Sequence, residues 1–319
     1  MLKLPVPKLV PISKATLFFD AMLGMDIYAS TGSEGEAKLF CAKDTPFNKT
    51  RLLEISENGR QKLYLDADCN QAYQAYLRDH WDEIADNRDL PLETRTSVMS
   101  EVVRDVLSGA FYSGNTAAIV EASQSLGDGI VKILSDEKIV LSELCAVLHH
   151  DYATFTHSAN VAFYAVLLAK NIGYSLAEQN QIAIGALLHD LGKLSVAERI
   201  LTKPGRLDEL EFKEVKRHPG DAYRKLSSRR DLNHAQLMMA YQHHEKLDGS
   251  GYPVGLLGHE IHPWAKLCTV VDIFEALTST RPYRLSTSHK VALSILVNAA
   301  EKELDTEIVS CWSKLVTKE

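Results

Sequence analysis

The 319 residues carry 45% hydrophobic and 24% charged side chains, apolar content enough for a sizeable core and a length that fits two domains. A formal charge of −7 excludes general affinity for nucleic-acid polymers or anionic membrane, which needs a basic face, and there is no apolar run of membrane-spanning length. The five cysteines (41, 69, 145, 268 and 311) are odd in number and never form a CxxC pair, so they read as reduced thiols in a cytoplasm, and the N-terminus lacks signal-peptide character.

Residues 1–95 predict a small α/β module. Residues 38–42 and 62–65 alternate as strands do, and 52–56 with 63–65 flank Glu57, Asn58 and Gly59 as the arms of a hairpin. Ala72, Tyr73, Tyr76, Leu77, Trp81 and Ile84 recur at helical spacing. No catalytic cluster occurs in this stretch, so it reads as a regulatory or packing module. From Thr96 onward the pattern is helical. Residues 96–148 predict a connector, with one apolar stripe of Val102, Val103, Val106 and Leu107 and a second helix over 119–134. Residues 149–319 predict an α-helical bundle. There His157, Val161, Ala165 and Leu168 share one helix face, and Ser175 with Glu178 has capping-box spacing before the apolar run 182–188.

Eleven of the twelve histidines lie at or after position 149. Five of them alternate with two aspartates in the order His157, His189, Asp190, His218, His243, His244, Asp272. Adjacent helix positions differ by about 100°, so His189 and Asp190 can both reach one buried point. A buried charge is costly unless it is paired or bound to metal, and Asp272 lies inside the apolar run 269–274. Any one of these residues alone is more often an ordinary core or surface group; seven in this order outweigh that reading. With Asp190 bridging, they fill about eight of the roughly twelve positions of two octahedral ions, leaving room for a bridging hydroxide and about two substrate oxygens. Imidazole and carboxylate without thiolate suit iron or manganese over zinc. The pattern points to a two-metal phosphodiester hydrolase. A phosphate loop, a nucleophile elbow and an HExxH pair are absent, and His259 and His262 have the wrong spacing for the last.

His189 and Asp190 with Gly192 and Lys193, then residues 243–253 (HHEKLDGSGYP), then Asp272 through Arg284, resemble the HD-GYP family, a branch of the HD metal-dependent phosphohydrolases. The resemblance covers about residues 149–290 and implies an HD-type helical bundle with a two- or three-iron centre. It further implies hydrolysis of cyclic di-GMP to linear pGpG through a metal-bridging hydroxide, in some members onward to GMP. By the same resemblance the seven residues above are metal ligands with Asp190 the bridge, Lys193 contacts the substrate phosphate, and Arg281 and Arg284 bind phosphate. Gly251, Tyr252 and Pro253 shape a loop beside the metals that in the family also meets partner proteins. Ala153 stands where members carry a tyrosine, or a glutamate that helps hold a third metal. That departure predicts a slow, two-metal enzyme stopping at pGpG. Glu275 replaces the usual aspartate. Two other readings stay open: a degenerate domain that binds metal and cyclic di-GMP as a receptor or docking platform, and an HD hydrolase of another nucleotide.

Overall fold

The computed structural model describes residues 9–12, 17, 21–30, 37–47, 62–69, 72–73, 75–76, 79–80, 83, 92–135, 141, 144–145, 148, 154–280 and 286–317. The chain divides into two compact units, 1–86 and 87–319.

In the first unit β1 (Leu9–Ile12), β3 (Ile27–Ser30), β4 (Ala37–Cys41) and β6 (Lys62–Asp66) form an antiparallel sheet in the order β1-β6-β3-β4. Two shorter strands, β2 (Ala21–Met22) and β5 (Pro46–Phe47), pair separately. Strand alternation sets the buried face: Ile27 and Ala29 are buried while Tyr28 and Ser30 are half-exposed, and Leu63 and Leu65 on β6 follow the same period. The described residues between 72 and 83 are helical. Residues 52–59, Leu77, Trp81 and Ile84 lie outside the described residues, and the predicted hairpin at 57–59 with them.

The second unit is helical: α1 (Leu92–Ser113), α2 (Thr116–Leu134), α3 (Thr154–Ile172), α4 (Leu176–Leu188), a 3₁₀ turn (Leu191–Ser195), α5 (Glu198–Leu201), α6 (Glu209–Val215), α7 (His218–Leu226), α8 (His234–Gln242), α9 (Pro263–Thr278), α10 (His289–Ala299) and α11 (Thr306–Val316). Residues 156–169 of α3 are all buried, which fits a sequence apolar on nearly every face, and α3 packs against α1, α4 and α9. The stripe Val102, Val103, Val106 and Leu107 is fully buried, and α1 packs on α2 and α3, so these helices are part of the bundle. Capping boxes start α4 (Ser175 with Glu178), α6 (Asp208 with Glu211) and α8 (Asn233 with Gln236), satisfying amide groups that would otherwise lack partners. Behind the site Tyr164, Phe274 and Trp312 meet edge to face at 5.1 to 5.9 Å, tying α3 to α9 and α11, each contact adding about 0.5–1.5 kcal/mol beyond its buried area. Among the described residues no helix is long and apolar enough to cross a membrane.

Candidate metal centre

Five segments converge on one buried point. His157 projects from the first turns of α3. His189 caps the end of α4, and Asp190 opens the 3₁₀ turn that follows. His218 begins α7, His243 and His244 follow the end of α8, and Asp272 lies within α9. All but His244 are buried, and His244 is partly covered. Three overlapping groups each bring their ligand atoms within 4.8 Å: His157, His189 and Asp272; His189, Asp190 and His243; His218, His243 and His244. The structure therefore gathers all seven residues singled out from sequence.

Asp190 lies between the histidine groups. Its Oδ1 is 3.2 Å from His218 Nε2 and 3.8 Å from His243 Nε2. Its Oδ2 is 3.5 Å from His157 Nε2 and 3.6 Å from His189 Nε2, and it accepts a hydrogen bond from Lys193 Nζ. Asp272 spans in the same way, with Oδ1 3.0 Å from His157 Nε2 and Oδ2 3.9 Å from His244 Nδ1.

The outer ring atoms fix which nitrogen points inward. His189 Nδ1 donates to Ala186 O at 2.6 Å, His218 Nδ1 to Val215 O at 2.8 Å, and His243 Nδ1 to Met239 O at 3.1 Å. With the proton on Nδ1, each Nε2 turns a lone pair toward Asp190. Burial lowers the pKa of His189, sends that of His243 well below the usual range, and takes His244 down to about 3, so these rings stay neutral and ligand-competent. Burial opposes ionisation of Asp190 and Asp272. The charge of Lys193 outweighs it at Asp190, and the hydrogen bond and charge of His157 outweigh it at Asp272, so both carboxyls are held well below the usual carboxylate range.

This donor set fits cations. His218 Nε2 and His243 Nε2 face each other at 3.2 Å, while His189 Nε2 and Asp190 Oδ1 are buried without a hydrogen-bond partner. Unsatisfied buried acceptors of this kind cost about 1–3 kcal/mol each, more when charged, and a positive ion removes the cost for all of them at once.

Three supporting residues were not assigned these roles from the sequence. Gly192 lets the 3₁₀ turn lie against α7: a Cβ there would sit 1.9 Å from His218 O and 2.7 Å from Ala222 N. Glu245, 2% exposed, gathers the loop after His244 by accepting from the amides of Val254 at 2.7 Å, Gly255 at 3.0 Å and Leu256 at 3.0 Å. That loop folds back closely at Gly251, where a Cβ would meet Lys246 N at 2.4 Å, and stacks Tyr252 on His244 with ring centroids 4.7 Å apart. Glu275 accepts from His157 Nδ1, from Asn160 Nδ2 at 3.1 Å and from Ser279 Oγ at 2.6 Å. Burial resists charge on both members of the His157–Glu275 pair. Even so, the Glu275 carboxylate helps push His157 up to about 9, and His157 helps hold Glu275 down at about 2. The spacing of Glu275 from Asp272, one turn apart on an apolar helix, was the available sign of this role. Replacing Glu275 with Gln is expected to loosen His157 and weaken metal binding about 10–100-fold, as losing such an outer partner usually does. Competition against a chelator measures it, and unchanged affinity refutes it.

Pro253 follows Tyr252 in the stacked loop. Arg281, Arg284 and Ala153 lie outside the described residues.

A model of the HD domain matches residues 133–308, more than half of the chain. Among similar proteins, 3′3′-cGAMP-specific phosphodiesterase 3 of Vibrio cholerae is 40% identical over 164 residues, 50% of this chain and 35% of that protein. The cyclic di-GMP phosphodiesterase response regulator RpfG of Xanthomonas campestris is 38% identical over 162 residues, 50% of this chain and 43% of that protein. The chain thus spans less than half the length of these relatives. Among solved structures, Bd1817, an HDG"Y"P protein from Bdellovibrio bacteriovorus, shares the fold with a TM-score of 0.68 at 18% identity, over 97% of this chain and 99% of that one. With the matched model, the paired His189 and Asp190 and the glycine–tyrosine–proline loop packed on His244, the chain belongs to the HD-domain family, in its HD-GYP branch.

Proposed function

We propose that this chain hydrolyses cyclic di-GMP to linear pGpG at a centre of two divalent cations, iron in the first instance and manganese as the alternative. The observation that carries this reading is Asp190, with one carboxylate oxygen toward each histidine group. Relatives named as phosphodiesterases of cyclic dinucleotides support the substrate class. His157, His189, Asp190 and Asp272 would hold one ion, and Asp190, His218, His243 and His244 the other. Bound, such a pair supplies Lewis acidity and lowers the pKa of water at neutral pH. Lys193 holds its ammonium beside Asp190, where it can meet the scissile phosphate. Arg281 and Arg284 are assigned to phosphate oxygens, a task suited to planar guanidinium forks. In the reaction water adds to phosphorus, the bond from phosphorus to the 3′ oxygen breaks, and the departing ribose oxygen takes up a proton. The phosphate stays on the 5′ end of the product.

Residues 1–95 are assigned to regulation or tethering. The outer rim of the loop, with Val254 and Leu257 57% and 49% exposed, is assigned to a signalling partner. With Ala153 in place of a tyrosine or glutamate, the centre is proposed to hold two ions and to work slowly. A product time course on iron- and manganese-loaded protein should therefore show pGpG accumulating with little GMP. Rapid conversion to GMP overturns the slow two-ion reading, binding without turnover favours a receptor, and preferential turnover of 3′3′-cGAMP reassigns the substrate.

A further inference from the structure

Next to the centre lies a cleft of about 520 Å³, most of whose residues have no part in the chemistry above. Lys213, Lys216, Arg217 and Arg224 line it, and among the described residues no carboxylate does, although the chain carries a formal charge of −7. Arg224 pairs with Asp221. Neither Lys213 nor Arg217 has an ion-pair partner among the described residues. The remaining wall is aromatic: Tyr223 and Tyr241 stand 5.1 Å apart, tilted by 43°. Tyr252 belongs to both places. Its ring stacks on His244, and the Lys216 ammonium lies 5.1 Å from its centroid. Arg217 directly precedes His218 in the chain, so the cleft begins where the metal-facing residues end.

Unpaired cations beside half-buried aromatic rings form a surface for a phosphate joined to a flat base. Lysine and arginine meet the phosphate, and a ring face accepts the base by stacking. We propose that this cleft takes the half of the cyclic dinucleotide that lies away from the metals. Its second phosphate rests against Lys213 and Arg217, its distal purine against Tyr223 and Tyr241, and Tyr252 is the partition between the two halves. The proposal rests on the substrate reading given under Proposed function and adds to it a second phosphate site and a base platform.

The test uses the full chain, titrated calorimetrically with cyclic di-GMP and assayed in parallel on bis(p-nitrophenyl) phosphate, a diester with no distal nucleoside. Lys213→Ala combined with Tyr223→Ala should weaken cyclic di-GMP binding by about tenfold more than it slows turnover of the small diester. Tyr223→Phe, which keeps the ring, should recover most of the affinity lost by Tyr223→Ala. Cyclic di-GMP binding as tight in the double variant as in wild type overturns the cleft assignment alone. Equal losses on both readouts also overturn it, because the cleft would then act through the metal centre. Wild-type protein that cleaves the small diester without binding cyclic di-GMP overturns the substrate reading and this proposal together.

Discussion

Asp190→Asn is expected to empty the metal centre while leaving the helices in place. The amide keeps the volume of a fully buried side chain but removes the negative charge shared by both histidine groups. One end of the amide becomes a donor, which would aim N–H groups either at His218 and His243 or at His157 and His189, the nitrogens that must accept a cation. Bound metal should fall from about two ions per chain to below about one, since both ions lose the same anion. Phosphodiester turnover should drop by at least about 1000-fold, beyond the 10²–10³ that removal of a single preorganised donor can cost elsewhere. Elemental analysis and kinetics measure both, and far-UV circular dichroism confirms that the helices persist. Full metal content with near-wild-type rate would remove Asp190 from the shared position.

Gly192→Ala is expected to damage the same centre without touching a ligand. The added methyl would meet His218 O and Ala222 N, main-chain atoms that no rotamer change can move aside. Relief requires α7 to shift, taking His218 away from its 3.2 Å approaches to Asp190 Oδ1 and His243 Nε2. Overpacking against backbone belongs at the upper end of the usual range, about 3 kcal/mol, which lowers Tm by about 6–12 °C in a unit of this size. Metal loading should fall with it. A variant that melts within about 1 °C of wild type and loads fully would show that the turn and α7 are not held together as described.

The seven clustered residues were legible because their chemistry is unusual in this setting: imidazole and carboxylate pairs repeated at the ends of apolar helices, and Asp272 within one, need a reason to be buried. The capping box at Ser175 and the apolar stripe at Val102 were legible for a local reason, since both depend only on spacing along one helix. The order of the sheet was not. Leu9 pairs opposite Asp66, and nothing in either segment names its partner across so long a separation. Glu275 was noted only as a departure from the family pattern. Its carboxylate matters through His157, 118 residues away in the chain, and that pairing exists only once α3 and α9 are packed. The cleft was illegible for a similar reason: Lys213, Tyr223 and Tyr241 sit on three helices whose sequences look like ordinary polar surface.

Glu245 separates what the glycine–tyrosine–proline loop is from what it displays. The loop is fastened from beneath, by one buried carboxylate drawing on the main-chain N–H groups of Val254, Gly255 and Leu256. At Val254 and Leu256 every residue except proline offers that same N–H, so the fastening is indifferent to the side chains there, while Gly255, at φ 84°, keeps the turn between them. The vocabulary of the outer rim can therefore be rewritten while the grammar underneath stays the same, leaving one rigid frame able to present different faces.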